Sequence, residues 1–436
     1  MNGANGAPNG NGAVNGLDGH VDAVEEFGAV VVGAGPAGLA ALGKLLDEGV
    51  TNIAWMDDKF AGGRLNARYR EVPSNTKVKL FVSFARAVGA FREIVDAPKS
   101  RDDPDSPYNR LLAMDQEVGC DIAAAADLVL QLTLGMARHP DVVLKFGKVT
   151  ALDFDADTKR WDVAVTPAEP ERGVVDAKAP LVVLATGSAP ITPALPSKYT
   201  HLEPLDLDLA LTPTLLAHYL PEDKEETIAL VGASHSAILV LRNLYEMATS
   251  THPKLRVKWF SRHPLRYAED KGDWILRDNT GLKGETAIWA RENLEGKGWE
   301  DGKVKTIVEK IFVTGREEEQ AAYEKHLAQG SGVTRIVEAI GFKRLPLPHL
   351  SLRKTGEDGE VWKRDVGEVK GDGVTGQIVE VGRKGERSLK GLRGVGIAWP
   401  ERVTDPEGNV ESAVGLWKFM KYLTRVSPEW AQDARK

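Results

Sequence analysis

Ala29–Leu42 reads AVVVGAGPAGLAAL: a short β-branched run, a glycine turn, then apolar residues at helical spacing. Ala29–Val32 suits a strand buried on both faces of a parallel sheet. Gly33, Gly35 and Gly38 follow with the G-x-G-x-x-G spacing. In such a turn the first glycine makes the bend, the second lets a pyrophosphate approach the backbone, and the third lets helix and strand pack closely. Pro36 and Ala37 open the helix, whose free N–H groups and dipole favour an anion. Leu39, Leu42, Leu45 and Leu46 continue it as far as Gly49. The next strand, Asn52–Met56, closes on Asp57 and Asp58, and Asp57 stands 19 residues beyond Gly38. Either carboxylate is placed to accept from ribose hydroxyls.

About 200 residues on, Thr227–Leu241 (TIALVGASHSAILVL) repeats the pattern in degenerate form. Gly232 keeps the first glycine, while Ser234 and Ala237 occupy the other two positions. Ser234 is small and its hydroxyl can itself donate to a phosphate. His235, between Ser234 and Ser236, either contacts the pyrophosphate or caps the helix. The strand VKWF runs into Ser261, Arg262 and His263. A guanidinium at that strand end suits the 2′-phosphate of NADPH, where NAD sites usually place a carboxylate. Two such turns in one chain predict two bound dinucleotides, a flavin (FAD) and the nicotinamide that reduces it. The single cysteine, Cys120, excludes a redox disulfide within the chain.

A chain of 436 residues with 42% hydrophobic residues can fill two or three cores. A formal net charge of −7 argues against nucleic acid as a principal partner. No apolar run approaches the roughly 20 residues of a membrane helix, and cysteine usage shows no secreted disulfide framework. A cytoplasmic protein is expected, with homo-oligomerisation left open. Residues 1–24 are Asn/Gly-rich with almost nothing to bury, the composition of a disordered tail.

The predicted fold is α/β with two Rossmann-like dinucleotide-binding domains, the NADPH domain (222–342) inserted into a discontinuous FAD domain (25–221 and 343–436). A helix is expected over Asp121–Met136, an antiparallel hairpin over Val142–Val165, and a buried strand at Leu181–Ala185 that stops at Thr186 and Gly187. Pro190–Pro221 reads as a connection. Further strands are expected at Ile228–Val231, Leu255–Phe260, Lys305–Thr314, Arg335–Ile340 and Val395–Trp399, exposed hairpins over Gly356–Gly391, and a last helix over Ser412–Leu423.

The combination of GAGPAG, AGGRL, LATG and a second glycine turn resembles the flavoprotein superfamily of thioredoxin reductases, flavin-containing monooxygenases and N-hydroxylating monooxygenases. Gly62–Gly63–Arg64–Leu65 is similar to the family's flavin segment. Ser74–Asn75–Thr76 with Leu80–Phe81–Val82–Ser83–Phe84 resembles the T-N-T…CFSDF stretch of flavin-containing monooxygenases. Ala339–Ile340–Gly341–Phe342 resembles their second A-T-G-Y/F strand end. GVGIAWPE and the helix after it are similar to the last flavin-binding strand and helix. The chain departs from the family where F-x-G-x-x-x-H-x-x-x-Y/W is expected: His201 and His218 lie there without the phenylalanine and glycine. The resemblance implies that Gly63, Arg64, Leu65, Asn75 and Thr76 lie at the flavin, with Asn75 at its reactive edge. It also implies oxygenation of a small organic substrate at a nitrogen, sulfur or carbonyl centre through a C4a-hydroperoxyflavin. Two alternatives remain: a thiol-free NAD(P)H-dependent flavin reductase or oxidase, and a non-catalytic nucleotide-sensing flavoprotein.

Overall fold

The computed structural model describes residues 24–166, 175–383 and 385–436. The tail expected over 1–24 therefore lies outside the described residues, apart from exposed Val24.

Seven strands form the first sheet, in the order Val369–Gly371, Gln377–Gly382, Gly385–Gly394, Val182–Leu184, Ala29–Val32, Ile53–Asp57, Val142–Phe146. The last five run parallel, and Val30 stands opposite Ala54 on one side and Val182 on the other. Ala29, Val30 and Val31 are fully buried because both faces of this strand are covered. The helices Pro36–Asp47 and Leu416–Ala434 lie together on one face, where Leu39, Leu42, Leu45, Met420, Leu423 and Trp430 share a core. Full burial of each of these aliphatic side chains contributes about 1.5–3 kcal/mol. The other face meets a second sheet containing Lys148–Asp155, Arg160–Thr166 and His349–Thr355, packed through Leu152, Trp161, Val163, Leu350 and Leu352.

The second dinucleotide-type unit has five parallel strands, ordered Glu203–Pro204, Arg335–Glu338, Glu226–Val231, Leu255–Ser261, Val308–Phe312. Helix His235–Ser250 buries Ile238, Leu241 and Leu244 against this sheet. The chain enters the inserted unit through Ser188–Pro190 and leaves through Phe342–Arg344, and these two strands pair antiparallel. Both crossings thus form one two-stranded link between the units.

Several elements differ from expectation. Val142–Phe146 joins the edge of the parallel sheet, and the hairpin is formed by Lys148–Asp155 with Arg160–Thr166. The stretch 190–221 is no bare connection: Glu203–Pro204 supplies an edge strand, and Leu207–Ala210 and Pro213–Tyr219 are short helices. Val304–Ile307 is a helical turn ahead of Val308–Phe312. The stretch 356–391 is only partly exposed hairpin, since Ile378 and Leu389 point into the core beneath the first sheet. Val395–Trp399 is irregular chain, because the strand stops at Gly394 and Gly396 takes φ +87°. The last helix begins at Leu416, since Val410–Ala413 pairs with Glu401–Thr404.

Candidate cofactor and active site

Each glycine of the first turn meets a different constraint. Gly33 has φ +107°, and a β-carbon there would stand 2.5 Å from the Ala185 carbonyl oxygen. One on Gly38 would collide with the Gly33 carbonyl, so helix and strand touch backbone to backbone. A β-carbon on Gly35 would meet only Gly63 Cα, at 3.9 Å, leaving an open cradle before the helix N-terminus. The Trp55 indole N–H donates to the Gly33 carbonyl at 3.0 Å and braces the turn from below.

Asp57 is turned onto this loop. Its carboxylate accepts from the N–H groups of Ala34 (2.7 Å), Lys59 (2.8 Å) and Phe60 (2.8 Å). Its remaining lone pair can still take a ribose hydroxyl, while Asp58 is exposed beside it. Thr186 and Gly187 follow the neighbouring strand end, and the Thr186 hydroxyl is buried without a partner. A buried polar atom left unpaired costs about 1–3 kcal/mol, so it marks a place where a ligand completes the bonding. The C-terminal stretch returns here as well: a β-carbon on Gly396 would stand 2.6 Å from Ala37 Cβ. Gly63 and Leu65 open the short helix Gly63–Arg68 against the cradle. The Arg64 guanidinium points elsewhere, into an ion pair with buried Asp208 that Tyr69 also joins, its hydroxyl donating to Asp208 at 2.9 Å. Arg64 therefore ties this segment to the 207–210 helix.

The degenerate second turn has the backbone of the first. Gly35 and Ser234 precede their helices at φ −80°, ψ −179° and φ −83°, ψ 178°. Gly232 has φ +133°, and a β-carbon there would stand 2.5 Å from the Ala339 carbonyl, as Gly33 does with Ala185. The Trp259 indole donates to the Gly232 carbonyl at 2.7 Å, repeating the Trp55 brace. The Ser234 side chain makes no capping bond and is exposed, and Ser236 lies in the first helical turn. A cavity of about 310 Å³ opens beside the turn, lined by Ser234, Arg262, His263, Arg266 and Glu319. Arg262 is 62% exposed and only 3.7 Å from Glu319. Arg266 lies four residues along, a second cation that the sequence pattern did not single out.

The two units meet where Asn75 lies. A β-carbon on Gly284 of the inserted unit would come within 3.9 Å of Asn75 Cα. Asn75 is exposed, and its amide oxygen accepts only a long bond, 3.4 Å, from Thr76, whose N–H donates to Ser74. Beside Gly284, Lys283 pairs with Asp278. Lys418, from the first turn of the last helix, reaches the same Asp278 at 2.8 Å and the Asn279 amide oxygen at 2.5 Å. Glu411 accepts from the backbone and side-chain N–H groups of Asn279 at 2.9 and 3.1 Å. Loop 278–283 is thus clamped from the C-terminal segment, next to a cavity of about 490 Å³ lined by Trp274, Ile275 and Lys418. Burial holds the Lys418 ammonium below its ordinary lysine value and the Cys120 thiol above its own.

His235 makes no capping bond, and its Nδ1 is buried without a partner. Burial, reinforced by Lys283, pushes its pKa down to about 4. A depressed imidazole contributes stability above the unfolded value, about 6.5, that is lost as pH falls towards 4. At equal cofactor loading, wild type should lose up to about 3 kcal/mol more than His235→Asn across that window, read by urea unfolding. Parallel curves for the two proteins would show that the imidazole is charged in the native state.

The open cradle at Gly35, the orphaned Thr186 hydroxyl and the donor-rich cavity at Arg262 fit one dinucleotide at each turn. No family model matches the chain. It is 43% identical over 411 residues to the monooxygenase AgnR1 of Paecilomyces divaricatus, covering 94% of this chain and 99% of that one. Among solved structures it is similar to the bacillithiol disulfide reductase Bdr of Bacillus cereus, at 12% identity and TM-score 0.49 over 94% of this chain and 100% of that one. It is also similar to the ornithine N-hydroxylase of Kutzneria sp. 744, at 14% identity and TM-score 0.48 over 94% and 99%. With this degree of identity along nearly its whole length, the chain belongs to the AgnR1 monooxygenase family, and it carries a dinucleotide-type turn on each of its two parallel sheets.

Proposed function

We propose that the protein is an FAD- and NADPH-dependent monooxygenase acting on a small organic molecule at a nitrogen, sulfur or carbonyl centre. The observation that carries this reading is the duplicated turn geometry, the same backbone at Gly35 and Ser234 and the same close approach at Gly33 and Gly232. Family membership supports oxygenation over reduction. The single cysteine, half-buried and with its thiol pKa raised, supports the absence of a thiol relay. Among the described residues no helix is long and apolar enough to cross a membrane.

Gly33, Gly35 and the backbone N–H groups of Ala37 and Gly38 would cradle the FAD pyrophosphate, with Thr186 donating its free hydroxyl and Asp57 or Asp58 holding the ribose. Gly63 and Leu65 would border the flavin, while Arg64 fixes their segment through Asp208. Gly232, Ser234 and Ser236 would hold the NADPH pyrophosphate, and Arg262 with Arg266 its 2′-phosphate. Bound flavin supplies hydride acceptance from NADPH and activation of oxygen. Asn75 offers its amide N–H at the junction, where a placed donor holds a developing charge and keeps water from taking its place. Trp274 and Ile275 provide apolar wall for a substrate in the neighbouring cavity.

The test is a stopped-flow reduction under nitrogen followed by air. NADPH should bleach the yellow protein, and oxygen should restore it with hydrogen peroxide released slowly when no substrate is present. Asn75→Ala should leave FAD content and reduction rate unchanged and raise the peroxide leak about 10-fold, the effect of one lost hydrogen bond of about 1–1.5 kcal/mol. Failure of NADPH and NADH alike to bleach the flavin would remove the catalytic reading. An unchanged leak in the variant would remove Asn75 from the chemistry.

A further inference from the structure

Arg344 ends the strand that leaves the inserted unit, and its guanidinium lies 4.0 Å from the centre of the Trp399 ring. It donates once, at 3.3 Å, to the Val369 carbonyl. Among the described residues no carboxylate lies within 4.0 Å of it, and burial holds its pKa below the ordinary arginine value. Other partly or fully buried arginines are paired: Arg364 with Glu380 at 2.6 Å, Arg393 with Asp433 at 2.6 Å, Arg353 with Asp162 at 2.6 Å. Arg344 is half-buried, exposed Glu368 attracts it from beyond ion-pair distance, and four of its five N–H donors make no bond within the protein.

Trp399 adds a second free donor. The residue is 5% exposed, yet its indole N–H has no acceptor. The ring is bedded on two glycines, since a β-carbon would stand 3.0 Å from it at Gly371 and 2.5 Å at Gly394. Both side chains line one cavity of about 430 Å³, with Lys370 and Arg402 also on its wall. Lys370 is bridged to Glu386, and Arg402 donates to Ser412 at 3.3 Å. The one carboxylate on the wall, Asp372, faces its own turn and accepts from the N–H groups of Val374 and Thr375. The wall thus carries three cationic side chains and the free Trp399 N–H against the single carboxylate of Asp372. None of its lining residues belongs to either glycine turn.

We propose that this pocket binds a small organic carboxylate, gripped by the Arg344 fork and the Trp399 indole N–H. The planar fork matches two carboxylate oxygens. The indole edge, Val369 and Pro400 suit an attached apolar body, and the volume exceeds that of a bare ion. The Asp372 charge favours a monoanion over dianionic phosphate.

Calorimetry on the FAD-loaded protein tests this with benzoate and inorganic phosphate as probes. Benzoate should bind in the millimolar range and quench tryptophan fluorescence, with phosphate weaker. Arg344→Met should weaken benzoate at least about 10-fold, as expected for a lost charged hydrogen bond, and exposed Arg402→Gln about 2- to 3-fold, with unchanged flavin absorbance in both. Equal benzoate affinity in wild type and Arg344→Met, or no binding to wild type at millimolar concentrations, overturns the site. Phosphate binding tighter than benzoate overturns the carboxylate assignment. Loss of FAD when benzoate binds would show that the donors belong to the cofactor.

Discussion

Gly35→Val should give a folded, colourless protein with FAD affinity lowered about 10- to 100-fold, the effect of a 1–3 kcal/mol steric penalty. Valine fits the backbone here, because φ −80° and ψ −179° lie in the ordinary β region. Its β-carbon meets nothing closer than Gly63 Cα at 3.9 Å, so the unliganded fold accepts it. The γ-methyls then occupy the space that the pyrophosphate needs. Gly33→Val is the contrasting control. At φ +107° and 2.5 Å from the Ala185 carbonyl, that substitution breaks the turn itself and should lower thermal stability as well as colour. Absorbance of the purified proteins and their reconstitution with added FAD separate the two outcomes. A Gly35→Val protein that remains yellow at wild-type affinity would move the pyrophosphate away from this turn.

This contrast also shows what the sequence could convey. The spacing of Gly33, Gly35 and Gly38 implied three distinct uses; the tight bend at Gly33 and the close packing at Gly38 are visible in what a β-carbon would meet, and Gly35 is left with open space. Such motifs are legible because a short chain segment determines its own backbone. The degenerate second turn was legible for the same reason: serine at 234 adopts the backbone that glycine adopts at 35. Tertiary choices left no local signal. Nothing near Arg64 in the chain announces Asp208, 144 residues away, as its partner. Lys418 and Asp278 meet only because the last helix folds back onto the inserted unit. Val142–Phe146 alternates like a hairpin strand yet pairs parallel with Ile53–Asp57, and alternation alone does not name the neighbour. Trp55 and Trp259 are fully buried core aromatics. Their shared second use, bracing the first carbonyl of each turn, depends on two indole N–H groups that only the folded chain aligns.

Arg262→Ala with Arg266→Ala should raise the Michaelis constant for NADPH about 100-fold or more and leave that for NADH nearly unchanged. Both cations line the cavity beside Ser234, at the strand end where the ribose of a dinucleotide lies. Arg262 is held only loosely, 3.7 Å from Glu319, and is 62% exposed. Glu319 has another partner, since the Tyr323 hydroxyl donates to it at 2.8 Å. A 2′-phosphate can therefore draw the guanidinium away at little cost. Charge-assisted hydrogen bonds contribute about 1.5–3 kcal/mol each, so each single variant should raise the constant at least about 10-fold. The effect should shrink in high salt, because the cations are exposed and screened. The preference for NADPH would then rest on two side chains outside the turn, whose backbone binds either nucleotide alike. Equal losses with NADH and NADPH would place the arginines on the shared pyrophosphate instead. Unchanged constants in the double variant would remove both from nucleotide recognition.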